Sequence, residues 1–183
     1  GVGTSGGTIA LGVKENNYLG KGISVNANLS LNTDSIKGIF SLTNPNYKNS
    51  DKTIKTSIQS TETNKLTDFG YKTNKTGASV STSFEYLDDL NLGLGLSSFF
   101  EKIETDSTAS SRQKKQAGNY FDNFVNLTFD YDKRNQKFQT TDGFRSYYSL
   151  DLPLISETNT LLNTYSFNNY SEFFERNIFK TSF

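Results

Sequence analysis

Apolar and polar residues alternate with period two over most of the chain. In 8–14, Ile9, Leu11 and Val13 interleave with Thr8, Ala10, Gly12 and Lys14. In 23–32, Ile23, Val25, Ala27, Leu29 and Leu31 interleave with Ser24, Asn26, Asn28, Ser30 and Asn32. The same reading holds for Ala78, Val80, Thr82, Phe84 and Tyr86, for Leu90, Leu92, Leu94 and Leu96, for Val125, Leu127, Phe129 and Tyr131, and for Phe144, Ser146, Tyr148, Leu150 and Leu152. Alternate residues share one face of a strand but scatter around a helix. The pattern therefore predicts strands at 1–4, 7–15, 22–32, 36–43, 52–60, 75–87, 90–103, 119–133, 143–153, 160–171 and 174–183, each with one oily face and one small, polar face. Pro45 falls in a turn and Pro153 at a strand end, where a missing N–H disturbs a ladder least.

The links 32–35, 60–74, 104–118 and 155–160 are polar and fall on one side, while 15–20, 44–49, 87–89 and 133–142 fall on the other and carry an apolar residue. Strands joined in this way form an up-and-down antiparallel sheet, and no composition break marks a second domain. Strand length decides between a sandwich and a membrane barrel. Sandwich strands run to about 5–6 residues, whereas a tilted membrane strand needs about 9–11. The longer value fits, which makes the fold class all-β, an antiparallel up-and-down transmembrane β-barrel of about eleven strands. Mean hydropathy is −0.59 because only every second residue faces lipid. Tyr18, Tyr47, Tyr86, Tyr120 and Tyr131 lie near strand ends, as interface aromatics do.

Composition removes most chemistry. The 183 residues contain no Cys and no His, so there is no thiolate, imidazole or Cys/His metal site, and neither a catalytic residue nor a cofactor is expected. Nineteen basic and nineteen acidic side chains cancel, which argues against nucleic acid as a partner. Gly1-Val2-Gly3-Thr4-Ser5-Gly6 satisfies a dinucleotide fingerprint formally, but a strand follows where a helix is required. Asp130 and Asp132 share the lumen face with Arg134, which reads as a solvated charge ladder or a structural Asp132–Arg134 contact rather than a catalytic pair. Arg112, Lys114 and Lys115 read as a solvated loop. With no Met, Gly1 is not a translation start, and the chain is expected to be a fragment.

Gly1 to Thr4 with Ile9 to Val13 and Glu15 to Gly22, then Ser41 to Tyr47, then Phe129 to Arg134 with Thr141 to Arg145 and Asp151-Leu152-Pro153, together resemble the BamA-type outer-membrane-protein insertase family. Gly1 to Thr4, Ile9 to Val13 and Glu15 to Gly22 resemble its first two barrel strands and first inner turn. Ser41-Leu42-Thr43-Asn44-Pro45-Asn46-Tyr47 resembles the turn after its fourth strand. Phe129 to Arg134, Thr141 to Arg145 and Asp151-Leu152-Pro153 resemble the turn between strands eight and nine. Order and spacing follow the family across nearly the whole chain. Two features depart from it: Thr140 stands where the family has Pro, and its Arg-Gly-Phe loop is not found, Arg176-Asn177 being no match.

The resemblance implies that 1–183 is the N-terminal two-thirds of a sixteen-stranded barrel, without the periplasmic repeats and the C-terminal strands. It implies a place in the bacterial outer membrane. The implied function is folding and inserting β-barrel proteins by strand templating at a weak seam, with the lipid bilayer, unfolded outer-membrane proteins and accessory lipoproteins as partners. Gly1, Val2, Gly3, Thr4, Gly6 and Gly7 would form the seam edge, though the glycines also fit relief of crowding in a tight turn. Asp132, Arg134, Asp142 and Gly143 would form the lumenal turn motif. The alternatives are a polypeptide-secreting translocator of the same superfamily, a passive porin-like barrel, and a soluble β-rich adhesin. Phe183 could be the terminal aromatic of a small complete barrel, but Ile178 and Thr181 depart from that signal.

Overall fold

A computed structural model describes residues 2–3, 6–156, 161–174 and 177–183. The strands are β1 (Val2–Gly3), β2 (Gly6–Tyr18), β3 (Ile23–Asn32), β4 (Ser35–Asn44), β5 (Thr53–Lys65), β6 (Tyr71–Leu87), β7 (Leu90–Thr105), β8 (Gly118–Asp132), β9 (Gly143–Ile155), β10 (Leu162–Phe174) and β11 (Asn177–Ser182). They form one sheet in sequence order, and each strand pairs antiparallel with the next. The architecture is all-β and up-and-down.

The alternation places most of the oily residues on one side, while Ile39, Phe99 and Phe124 fall on the other. Register rows such as Leu11–Leu29, Val80–Leu96–Val125 and Leu94–Leu127–Leu150 run across the sheet on the oily face, and Ile9, Leu11, Val13, Ile58 and Leu96 are more than half exposed there. On the other face, Ser41, Gly77, Gly95 and Ser97 are buried by their neighbours, which makes it the concave one. It is lined by hydrogen bonds such as Ser57–Ser79 at 2.7 Å, Ser97 to Asn126 at 3.1 Å and Asn126 to Asp151 at 2.6 Å. Among the described residues Ala109 is the sole buried hydrophobic one, and no large side chain is fully buried. A protein dissolved in water does not arrange itself so, because it would gain nothing from apolar burial. Against hydrocarbon, the same distribution is the stable one.

The structure departs from the sequence reading at the end of β5 and the start of β6. The segment 60–74 was expected as a polar link, yet pairing continues from Ser60–Thr76 to Lys65–Tyr71. Beyond the apolar band both faces meet water, so alternation fades while the N–H and C=O groups still require partners. At the tip, α1 (Leu66–Phe69) ends on Gly70 in the left-handed region at φ +70°. A Cβ there would stand 2.5 Å from the Ala109 nitrogen, the Asp106 carboxylate and the Thr108 hydroxyl. Asp106 donates its N–H to the Gly70 carbonyl at 2.9 Å, latching this loop to the one after β7. The Thr108 hydroxyl and N–H hold the Asp106 carboxyl below its usual pKa.

That second loop, read from sequence as a polar, solvated link, contains α2 (Ser111–Lys115), started by a Ser110–Gln113 capping box. Ser110 accepts from the Gln113 N–H, and Gln113 accepts from the Ser110 N–H at 2.9 Å.

The two faces should tolerate charge differently. In the barrel refolded into lipid vesicles, Leu94→Arg on the convex face is expected to cost about 2–4 kcal/mol. Ser83→Arg, on the exposed part of the concave face, is expected to cost less than about 1 kcal/mol. Denaturant unfolding of the two variants measures the difference, and equal costs would assign the faces wrongly.

Candidate functional site at the strand edge and the β8–β9 turn

β8 ends on Asp132, and the link 133–142 leads to β9. Arg134 grips Asp132 with both ends of its guanidinium, Nε to Oδ1 and Nη2 to Oδ2, each at 2.7 Å. Their side chains are only 14% and 17% exposed, so the pair is largely shielded from water. Asp132 holds Arg134 protonated well past the ordinary range, with Tyr170 of β10 adding to the effect. Arg145 of β9, directly opposite Asp132, makes the same two-pronged contact with Asp130 at 2.7 and 2.8 Å. The carboxylates Asp130 and Asp132 are thus each taken by an arginine, and no acidic cluster suited to a metal occurs among the described residues.

The clasp extends to the neighbouring turn. Asp132 donates its N–H to the Asp89 carbonyl at 2.9 Å, and Lys133 pairs with the Asp89 carboxylate at 2.9 Å, which raises the lysine pKa. Within 133–142, Asn135 closes the loop. Its carboxamide donates to the Thr141 hydroxyl at 2.6 Å and accepts from the N–H groups of Thr141 and Asp142. Thr140 is buried and donates to the Gln136 carbonyl at 2.7 Å, a hydrogen-bonded solution to the bend that Pro would impose through its ring. Gly143 has φ +98°, and a Cβ there would collide with the Lys133 carbonyl. Phe138 at the tip is 89% exposed.

At the other site, β1 pairs with β2 through Val2–Gly7 and Gly3–Gly6 alone. Gly1 and Thr4 lie outside the described residues. The far side of β1 meets no strand among the described residues. Gly7 has nothing within 4 Å of where a Cβ would stand, and it is not among the glycines with positive φ. Neither crowding nor backbone geometry requires glycine at this position.

An edge of this kind on an inside-out, up-and-down sheet can be compared with known proteins. A family model for the Omp85 superfamily domain matches residues 17–182. The chain belongs to the Omp85 superfamily. This Omp85 chain is also similar to the crystal structure of BamA from Haemophilus ducreyi lacking POTRA domains 1–3, with a TM-score of 0.69 and 22% identity. That match covers 91% of this chain and 35% of the other, so the chain spans about a third of that protein's length. No curated protein matches by sequence. Family and fold together make the chain an outer-membrane β-barrel sheet of the Omp85 superfamily.

Of the residues singled out in the turn of this Omp85 barrel, Asp132 and Arg134 meet directly and Gly143 sits where no side chain fits. Asp142 takes part through its main chain, its carbonyl accepting from Asn135 at 3.0 Å. Sequence reading missed Asn135, Asp89 and the Asp130–Arg145 pair. Asn135 carried a signal, since Asn in a turn bonds main-chain groups nearby. Asp89 comes from the β6–β7 turn and Arg145 from β9, and neither left one. The two arms of the turn should be separable by hydrogen exchange. Arg134→Ala, which leaves Asp132 without its partner, should destabilise the hairpin by about 1–3 kcal/mol and speed exchange throughout 133–142. Gly143→Ala should do the same through backbone strain with the ion pair intact, whereas unchanged exchange in both would mean that the turn is held from elsewhere.

Proposed function

We propose that this chain is the N-terminal part of a larger barrel, sixteen-stranded and preceded by periplasmic polypeptide-binding repeats, that folds and inserts other β-barrel proteins into the outer membrane. The observation that carries this reading is the edge: a two-residue β1 held to β2 by a glycine ladder, with Gly7 in open space. A glycine in a strand gives up about 0.5–1 kcal/mol of stability relative to a residue with a side chain. Where no local geometry calls for glycine, that loss is the feature being selected.

A weak edge leaves N–H and C=O groups within reach of an incoming strand. Adding a strand to an exposed sheet edge satisfies both partners in a medium that offers no other hydrogen bonds. Gly1, Val2, Gly3, Thr4, Gly6 and Gly7 form the lateral seam in this reading. The working parts are main-chain ladders, so the protein acts without a catalytic residue, a cofactor or a metal. Its partners are the lipid bilayer, unfolded outer-membrane proteins and accessory lipoproteins.

The clasp around Asp132, Arg134, Asp142 and Gly143 then faces the periplasm. It keeps the far wall rigid while the seam opens, so strain from client pairing stays at β1.

The test uses the full-length protein with Gly7→Val in lipid vesicles, following insertion of an unfolded client barrel by its protease protection. A β-branched residue strengthens the β1–β2 pairing, so insertion is expected to slow by roughly threefold with the assembly factor itself fully folded. Unchanged insertion by a folded Gly7→Val protein would sink the seam reading.

A further inference from the structure

On the convex face, the sheet dips into an apolar cleft of about 490 Å³ where β5 to β9 pass each other. Thr56, Ala78, Val80, Leu96, Leu154 and Ile155 line it. The dip comes from the small side chains of Ala78 and Ser98 in the register row Ala78–Ser98–Asn123–Ile155, and from the irregularity at Asn123/Phe124 where β8 meets β9. Ser98 and Asn123 also line the cleft. Both face the hydrocarbon side, and neither side chain has a hydrogen-bond partner among the described residues. Polar groups left unpaired in hydrocarbon are costly, so this pair points to an oxygen-bearing ligand.

What lies beyond the cleft specifies that ligand. The next row is Thr76–Phe100–Phe121, with both rings about half exposed, as in an interfacial aromatic band. The rows after it hold Lys102 and then Lys72, two cations on the same outward face. Lys72 pairs with Glu62 at 3.0 Å and Lys102 with Glu104 at 2.8 Å. These pairs are solvent-accessible, and exchanging one such partner for a phosphate costs little.

The order along the strands is therefore apolar cleft, polar pair, aromatic row, cations. A lipid presents the same order as acyl chain, carbonyl or hydroxyl, interface and phosphate.

We propose that this column is a binding site for one phosphorylated acyl glycolipid of lipid A chemistry. An acyl chain fills the cleft, its oxygen substituents bond Ser98 and Asn123, and a phosphate meets Lys102 and Lys72. The site does not depend on client insertion. It takes from the proposed function only the orientation, with the β7–β8 loop on the outer side, where the glycolipid leaflet lies.

Native mass spectrometry of the full-length protein in detergent, titrated with hexa-acyl lipid A, dephosphorylated lipid A or phosphatidylglycerol, tests the assignment. The expected result is one lipid A per barrel, with affinity falling roughly tenfold in Ser98→Leu and in Asn123→Leu, each of which removes a polar partner. Lys72→Gln with Lys102→Gln should lower affinity several-fold, and dephosphorylated lipid A should bind the native protein as weakly as lipid A binds that variant. Both leucine substitutions place an apolar side chain against hydrocarbon, so the barrel should keep its heat-modifiable mobility on gels. Lipid A held equally by the native protein and both leucine variants would overturn the cleft. Phosphatidylglycerol held as tightly as lipid A would overturn the choice of ligand and its outer-leaflet orientation, leaving the seam untouched.

Discussion

The whole structure depends on one requirement: every main-chain N–H and C=O that enters hydrocarbon must find a partner in another strand. Water cannot supply it, and an unpaired group costs several kcal/mol. The antiparallel ladder from β2 to β11 meets the requirement strand by strand. Side chains are then free to follow the solvents, most leucines outward and most serines and asparagines inward. The absence of a conventional core follows directly, since the folding free energy that a soluble domain gains by apolar burial is supplied here by the membrane. The same requirement makes β1 the informative element. Wherever a ladder is short, its unmet groups become a binding surface.

Two regions of the described sheet are built on opposite principles. The β8–β9 region is over-determined, with two arginine–carboxylate pairs, a lysine–aspartate pair and an asparagine that closes the loop on itself. The β1–β2 region is under-determined, with two register pairs and three glycines. A barrel made uniformly of either kind would be inert or unstable. Placing them several strands apart confines mobility to one side of the wall.

Much of this could be read from the residues in order. Period two over 23–32, 90–97 and 125–132 fixed the strands and their faces because lipid on one side and water on the other impose strict alternation. The reading failed at 60–74, where Glu62, Asn64 and Lys72 gave no alternation although the ladder persists. There the solvent is the same on both faces, so side-chain chemistry carries no record of the pairing. The Asp132–Arg134 contact was legible because two residues on one face of a strand end must meet. The Asp130–Arg145 and Lys133–Asp89 contacts were not, since they depend on register between strands and on how neighbouring turns approach. The outward pair Ser98 and Asn123 was hidden for a different reason. Each is a single polar residue between apolar ones in its own strand's outward row, and only the ladder between β7 and β8 shows them side by side.

Arg134 finds Asp132 two residues back, Asn135 finds Thr141 six residues on, and Thr140 finds Gln136 four residues back. None of these contacts waits for a distant segment. The closing of short loops takes well under a microsecond, and a hairpin follows within microseconds. The β8–β9 corner is therefore a self-sufficient kinetic nucleus, able to form at the membrane surface before its neighbours arrive and to set the register on which β7 and β10 then zip.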